Sequence, residues 1–316
     1  MTSRDVLVLS RAELEKRLDP TAAALAIEDA YKAASAGEIE LPPVGHLTFP
    51  AHEADCHIKF GHQRDQDVFV IKVATGFPLN DPDVAPVNNG AVLVLSAQTG
   101  ELRAVLHDQM YLTDVRTGIG GAIASRALAR SDASRLLVVG TGIQAAHQMS
   151  AHRALLGREL DISVWGRSFA KAEAVAAHCG ATAVSDLAQA CAAADIIVTV
   201  TAAQEPVVLD PWVAPGTHVT AVGADAPGKH ELDPALLARS GFLVVDSRSQ
   251  CLDHGESSVL PDQHATRIIE LGQILSGEEA GRTNDDELTV ADLTGIAAQD
   301  IAIASVVLGS GVRTTE

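Results

Sequence analysis

The chain of 316 residues carries 23 Lys plus Arg against 41 Asp plus Glu, a formal charge of −18, with 47% hydrophobic and only 3% aromatic residues. Its length predicts two domains, because single cores stop growing beyond about 250–300 residues. The acidic balance excludes nonspecific binding to nucleic acid or an anionic membrane surface, which needs clustered Lys and Arg, and the apolar fraction excludes a mainly disordered chain.

The stretch Met1–Leu18 scatters its charges and holds no long apolar run, so no signal peptide is expected; no run of about 18 apolar residues predicts a membrane span. Cys56, Cys179, Cys191 and Cys251 form no C-x-x-C pair, which points to a reduced, cytoplasmic protein. In chain order, Val6–Leu9 reads as a short strand. Thr21–Ala36 reads as a helix with Ala23, Ile27, Ala30, Tyr31 and Ala34 on one face. His57–Phe60, Val68–Ala74, Ala91–Leu95 and Leu102–His107 read as strands of a mainly antiparallel sheet. Turn signals separate them: Asn80-Asp81-Pro82-Asp83, Asn88-Asn89-Gly90 and Thr99-Gly100. Thr113–Leu128 then reads as a helix leading into the next unit.

From Arg135 the rhythm alternates. Arg135–Gly140, Asp161–Trp165, Asp195–Thr201, Thr217–Gly223 and Gly241–Asp246 read as strands, with helices at Gln144–Leu156 and Phe169–His178. Strands that are apolar throughout, separated by helices, predict an α/β fold whose parallel sheet is covered on both faces. A last run, Glu287–Leu293, precedes an Ala-rich helix from Ala297 that is expected to return to the first domain. The expected division is an α+β domain of residues 1–118 with 299–316 and a Rossmann-type domain of residues 119–298.

Gly140-Thr141-Gly142-Ile143-Gln144-Ala145 fits G-x-G-x-x-A between a strand and a helix, the setting in which this pattern signals a dinucleotide. Gly140 allows the tight turn, Gly142 the approach of a pyrophosphate, and Ala145 close helix packing, with the helix N-terminus offering free N–H groups to the phosphates. The next strand ends Trp165-Gly166-Arg167-Ser168, without the acid that usually binds the ribose 2′-hydroxyl of NAD. Arg167 and Ser168 suit a 2′-phosphate instead, which favours NADP(H) over NAD(H).

Lys72 interrupts the apolar run Val68–Ala74; a buried ammonium needs a partner, so it either snorkels from an edge strand or grips a carboxylate. Arg116 opens the helix into the second domain, where its planar fork suits bidentate carboxylate binding or a structural ion pair, with Asp114 as one partner. Asp225 follows a core strand of the parallel sheet, where ligands bind, although Asp-x-Pro-Gly is also good turn chemistry. His46, His52, His57 and His62, with Glu53, Asp55 and Cys56 among them, match no standard ligand spacing, and no metal is expected. His57 and Lys59 alternate around Ile58 and therefore share one face, either toward solvent or adding positive charge to a substrate pocket.

Taken together, these residues resemble the ornithine cyclodeaminase/mu-crystallin family over nearly the whole chain. The resemblance rests on Lys72 before Gly76-Phe77-Pro78-x-Asn80, on Thr99-Gly100-Glu101-Leu102, on Leu112-Thr113-x-x-Arg116-Thr117 and on the glycine turn at Gly140. It continues through Gly223-Ala224-Asp225-Ala226-Pro227-Gly228-Lys229-x-Glu231-Leu232 and Asp292-Leu293-Thr294-Gly295 with Gln299-Asp300. It implies a homodimer paired through the sheets of the first domains, a bound nicotinamide nucleotide, and a small amino or imino acid as substrate. Lys72 and Arg116 match the family's substrate-carboxylate residues and Asp225 the catalytic aspartate of the cyclodeaminases. Arg167-Ser168 resembles the NADPH-binding pair of mu-crystallin. The implied cofactor contacts extend to Thr201, Val222, Arg116 and Thr117. Two segments depart from the family pattern: Val44-Gly45-His46 follows Pro42-Pro43 where an arginine is common, and Cys56–Gly61 replaces a Met-Pro-Ala segment.

The expected activity is reduction of a small imino acid, ketimine or iminosuccinate-like, by NAD(P)H, or the reverse dehydrogenation. Arg116 and Lys72 would hold the α-carboxylate, Asp225 would exchange the proton of the imine nitrogen, and His57 and Lys59 would accept a second carboxylate. The alternatives are a cyclodeaminase that releases ammonia from ornithine or lysine with catalytic NAD, and a non-enzymatic NADPH-binding protein.

Overall fold

The computed structural model describes residues 5–81, 83–260 and 268–309; Pro82 of the expected turn and residues 310–316 of the expected first domain lie outside them. Two compact units emerge, Met1–Arg116 with Ile296–Glu316, and Thr117–Gly295. The divisions thus fall after Arg116 and after Gly295, rather than after residues 118 and 298.

The first unit begins with β1 (Leu7–Ser10), α1 (Arg11–Arg17) and α2 (Pro20–Ser35). Asp19 caps α2 through the Thr21 and Ala22 amides, and Pro20 pre-sets its first turn. Then come β2 (Ile39–Glu40), β3 (Gly45–Phe49), β4 (Ala54–Gln63), β5 (Val68–Gly76), β6 (Asn88–Ser96) and β7 (Leu102–His107). These seven strands form one sheet in the order β1-β7-β6-β5-β4-β2, with β3 also paired to β4; only β1 joins in parallel, to β7. The one-in, one-out pattern puts Val70, Val92, Val94, Ala104 and Leu106 into the core. Lys72 pairs with Val92 in register and so lies on that same core face. The last helix of the chain, α10 (Ala297–Leu308), is buried on nearly all sides and packs on α2, β4 and β5. A Cβ on Gly61 of β4 would lie 2.8 Å from the Glu40 carbonyl and 3.5 Å from the Ala297 Cβ, so a small residue is needed where the helix passes. The helix α3 (Tyr111–Leu128) begins in this unit and ends in the second.

The second unit carries an eight-stranded, all-parallel sheet. Its elements are β8 (Arg135–Val139), α4 (Ile143–Leu155), β9 (Asp161–Trp165), α5 (Phe169–Cys179), β10 (Thr182–Ala183), α6 (Leu187–Ala193), β11 (Ile196–Thr199), β12 (His218–Ala221), α7 (Pro234–Arg239), β13 (Leu243–Val245), α8 (Arg248–His254), β14 (Ile268–Glu270), α9 (Leu271–Ser276) and β15 (Thr289–Asp292). The strand order is β10-β9-β8-β11-β12-β15-β13-β14. The fold is therefore mixed α/β with a Rossmann-type parallel sheet. Leu136–Val139 and Ile196–Thr199 are buried at every position, as strands covered on both faces require. The order reverses between β8 and β11, the switch point outside whose carboxyl ends such sheets bind ligands. The short helices α1 and α6–α9 and the strands β2, β3, β10 and β14 are additions to the elements the sequence pattern announces. Among the described residues no helix is long and apolar enough to cross a membrane, and the four cysteines are free thiols.

Candidate active site

In the first unit the partner that Lys72 requires is Asp300, in the first turn of α10. The Lys72 Nζ lies 2.9 Å from the Asp300 carboxylate, and both side chains are almost wholly buried. The Nε of Arg116 stands 3.4 Å from the same carboxylate. Asp300 is thus an acid beside Arg116. Gln299 locks the guanidinium in place: its Oε1 accepts from the Arg116 Nη1 at 3.1 Å and its Nε2 donates to the Arg116 carbonyl at 3.1 Å. Two cations therefore share one acid in a dry setting. Burial pulls the Lys72 pKa down to about 7, helped by Arg116 and opposed by Asp300. Asp108 accepts from the Leu112 amide at 3.0 Å, and burial raises its pKa. Lys59 is opposite Lys72 across the β4–β5 ladder and is itself buried, so the face toward which Lys59 and His57 point is covered at Lys59.

Farther along β4, His57 stands opposite His46 of β3, with ring centroids 4.5 Å apart. The Nε2 of His57 lies 3.3 Å from the Asp55 Oδ2, and that of His46 3.9 Å from the same atom. Linear spacing hides this grouping, because strand pairing assembles it. His52 and His62 stand apart from it: the His52 ring neighbours Phe77, and His62 Nε2 bonds the Gln66 carbonyl at 3.0 Å.

In the second unit, Gly140 ends β8 with a φ of 130°, a region L side chains avoid, and a Cβ there would strike the Val200 carbonyl at 2.8 Å. Gly142 is the N-cap of α4 and has open space where a Cβ would be; Ala145, fully buried, sets the helix against the sheet. An open glycine at the N-terminus of a 13-residue helix, at the switch point, fits a dinucleotide pyrophosphate. Thr141, exposed Ile143 and Gln144 complete the turn, and Thr201 and Val222 follow the ends of β11 and β12. A Cβ on Gly166 would meet the Thr141 methyl at 2.5 Å, so no side chain enters there without displacing Thr141. Arg167 is exposed, and Ser168 caps α5 by accepting from the Lys171 amide. The Thr117 carbonyl accepts from Gln148 Nε2 at 3.1 Å.

Asp225 is half-exposed beyond β12, and its carboxylate meets the Lys229 Nζ at 2.5 Å. The residue that fixes this rim is Glu231, fully buried. It accepts from the Thr199 hydroxyl at 2.8 Å, the Thr201 amide at 2.6 Å and the Gly223 amide at 2.7 Å. Burial raises its pKa to about 7. The Glu231 and Leu232 amides in turn donate to Glu256, whose carboxylate also lies 2.7 Å from His230 Nδ1. Asp300, Gln299 and Glu231 had appeared in the sequence only as parts of motifs; the signal available for each was a demand, such as Lys72's for an acid, with no address attached.

Comparison with known proteins agrees with this architecture. A cyclodeaminase of Sinorhizobium fredii, itself uncharacterized, is 38% identical over 290 residues, covering 88% of this chain and 87% of that protein. The structure of an archaeal alanine dehydrogenase dimer with bound NAD is 31% identical with a TM-score of 0.87, covering 96% of this chain and 94% of that one. The Δ1-pyrroline-2-carboxylate reductase of Thermococcus litoralis, in complex with NADH and L-proline, is 26% identical with a TM-score of 0.88, covering 96% of each chain. The profile of the ornithine cyclodeaminase/mu-crystallin family matches residues 4–314, and the chain belongs to that family.

Proposed function

We propose that the protein is an NAD(P)H-dependent reductase of a small imino acid, working in reverse as an amino-acid dehydrogenase. The observation that carries this reading is the buried trio of Lys72, Arg116 and Asp300, two cations on one acid, whose surplus positive charge suits a substrate carboxylate. Arg116 and Lys72 bind the α-carboxylate and so orient the imine carbon. Asp225 exchanges the proton of the imine nitrogen, and the pKa of Lys72 near 7 suits proton exchange at neutral pH. When bound at the Gly140–Ala145 turn, the nicotinamide nucleotide supplies the hydride. The missing acid at Gly166 and the exposed Arg167 favour NADP(H). Lys59, with His57 beside it on the same face, accepts the second carboxylate of a dicarboxylic imine such as iminosuccinate, the contact being made by the Lys59 ammonium. A homodimer is the proposed assembly, as in the archaeal alanine dehydrogenase.

The test is a screen with NADH and NADPH in turn, offering pyruvate, glyoxylate and oxaloacetate with ammonia, and cyclic imino acids. Oxidation of the reduced cofactor with at least one of them is expected; none with any would refute the reading. Asp225 and the 38% identical relative favour one alternative, a cyclodeaminase. Ornithine or lysine with catalytic NAD would then release ammonia with no net change in absorbance of reduced cofactor.

A further inference from the structure

We infer that His46, Asp55 and His57 form a binding site for a borderline transition-metal dication of the Zn2+ class, joining β3 to β4. His46 and His57 are directly opposed in the β3–β4 ladder, and Asp55 lies two residues from His57 on the same face. One ligand atom from each comes within 4.8 Å of the other two. A tetrahedral ion with bonds of about 2.0–2.1 Å sets its ligand atoms roughly 3.4 Å apart. The Asp55 oxygen stands 3.3 Å from one imidazole nitrogen and 3.9 Å from the other, close to that edge. Two imidazoles and a carboxylate are a mixed nitrogen and oxygen set that suits zinc, cobalt, nickel or copper rather than magnesium or calcium.

A simple ion pair would need one histidine. Here a second imidazole, from a different strand, turns its Nε2 toward the same carboxylate oxygen. Gly76, paired with Asp55 on β5, makes the room: a Cβ there would lie 3.2 Å from the other carboxylate oxygen. The side chains of His46, Asp55 and His57 are 32%, 37% and 18% exposed, so the cluster is reachable from solvent and a bound ion keeps a position open for water. Lys59 opposes a dication, but it lies beyond His57, about 7 Å along the strand, with Asp55 on the opposite side. Because β3, among the described residues, pairs only with β4, a metal bridging His46 to His57 and Asp55 would staple this strand to the sheet.

The experiment is zinc titration of the full-length, chelator-stripped protein against a chromophoric competitor, with a parallel Co2+ titration read by its visible d–d absorption. One zinc per chain is expected, together with a cobalt spectrum of low-symmetry, four- or five-coordinate type. His46→Ala and Asp55→Asn should each weaken zinc at least about tenfold. His62→Ala, on the same strand but outside the cluster, should leave affinity unchanged. Circular dichroism and a cooperative thermal melt of each metal-free variant, compared with the parent, check that it is folded. Zinc affinity unaltered in folded His46→Ala, or no saturable binding by the parent protein, would overturn the inference.

Discussion

Asp300→Asn offers a quantitative test of the buried cation pair. The ammonium of Lys72 at 2.9 Å and the Nε of Arg116 at 3.4 Å each gain roughly 5–6 kcal/mol of gross attraction to the carboxylate at an effective dielectric of about 20. Desolvation offsets most of this, and removing one partner of a buried pair costs about 3–5 kcal/mol. Lys72 has an escape, because it can lose its proton. Its folded pKa of about 7 lies below its unfolded value, so the unfolded chain holds more protons between the two and stability falls as pH drops toward 7. In the parent protein that loss ends near pH 7. Without the charge of Asp300 the lysine titrates lower still, and the variant goes on losing about 1.4 kcal/mol per pH unit. Urea denaturation at pH 8, 7 and 6 should therefore show a destabilisation that grows toward acid, and the KM for the imino acid should rise most near pH 6, where the parent lysine is charged and the variant lysine is still neutral. An equal penalty at pH 6 and pH 8 would refute the reasoning.

Four further outcomes are expected. Arg167→Ala should raise the KM for NADPH at least about tenfold and leave that for NADH nearly unchanged, since only the 2′-phosphate is lost as a partner. Gly142→Val should fold with a near-parental melting temperature, because its φ is ordinary and the space is open, yet lose NAD(P)H binding in a fluorescence titration. Glu231→Gln should cost about 1–3 kcal/mol at pH 5 by presenting an amide to the amides of Thr201 or Gly223. The gap should narrow by pH 8, because the raised pKa of Glu231 gives a stability contribution that is lost as pH rises through about 7, and the glutamine has none to lose; thermal melts across that range read it. Lys59→Ala should lower kcat/KM for a dicarboxylic imine more than for a monocarboxylic one; equal, unchanged kinetics with both would remove the second-carboxylate role.

What the sequence disclosed was local. The turn at Gly140–Ala145 was legible because an apolar strand, two glycines and an alanine lie within one short stretch. The parallel sheet was legible because its central strands carry runs such as Leu136–Val139 and Ile196–Val198 that are apolar at every position. Lys72 announced a buried charge by breaking such a run, but its acid is 228 residues away and only the folded chain supplies it. His46, Asp55 and His57 stood out in the sequence, but their grouping did not, for a related reason: the register of β3 on β4, not the spacing in the chain, brings the groups together. The short helices α6–α9 carry little periodicity, and tertiary packing decides them.

The chemistry of the trio itself argues for a ligand. An apolar set in place of Lys72, Arg116 and Asp300 together would carry no charge to desolvate, and such exchanges of a whole buried ion group are often neutral or stabilising. The ions therefore contribute little that packing needs. Nor is the arrangement neutral: two cations share one acid, and the lysine is held near its deprotonation point. A bound carboxylate would correct both defects together, bringing the local charge to zero and drawing the lysine back toward its ordinary pKa. A site left short of one negative charge when empty favours an acid substrate over its neutral analogue.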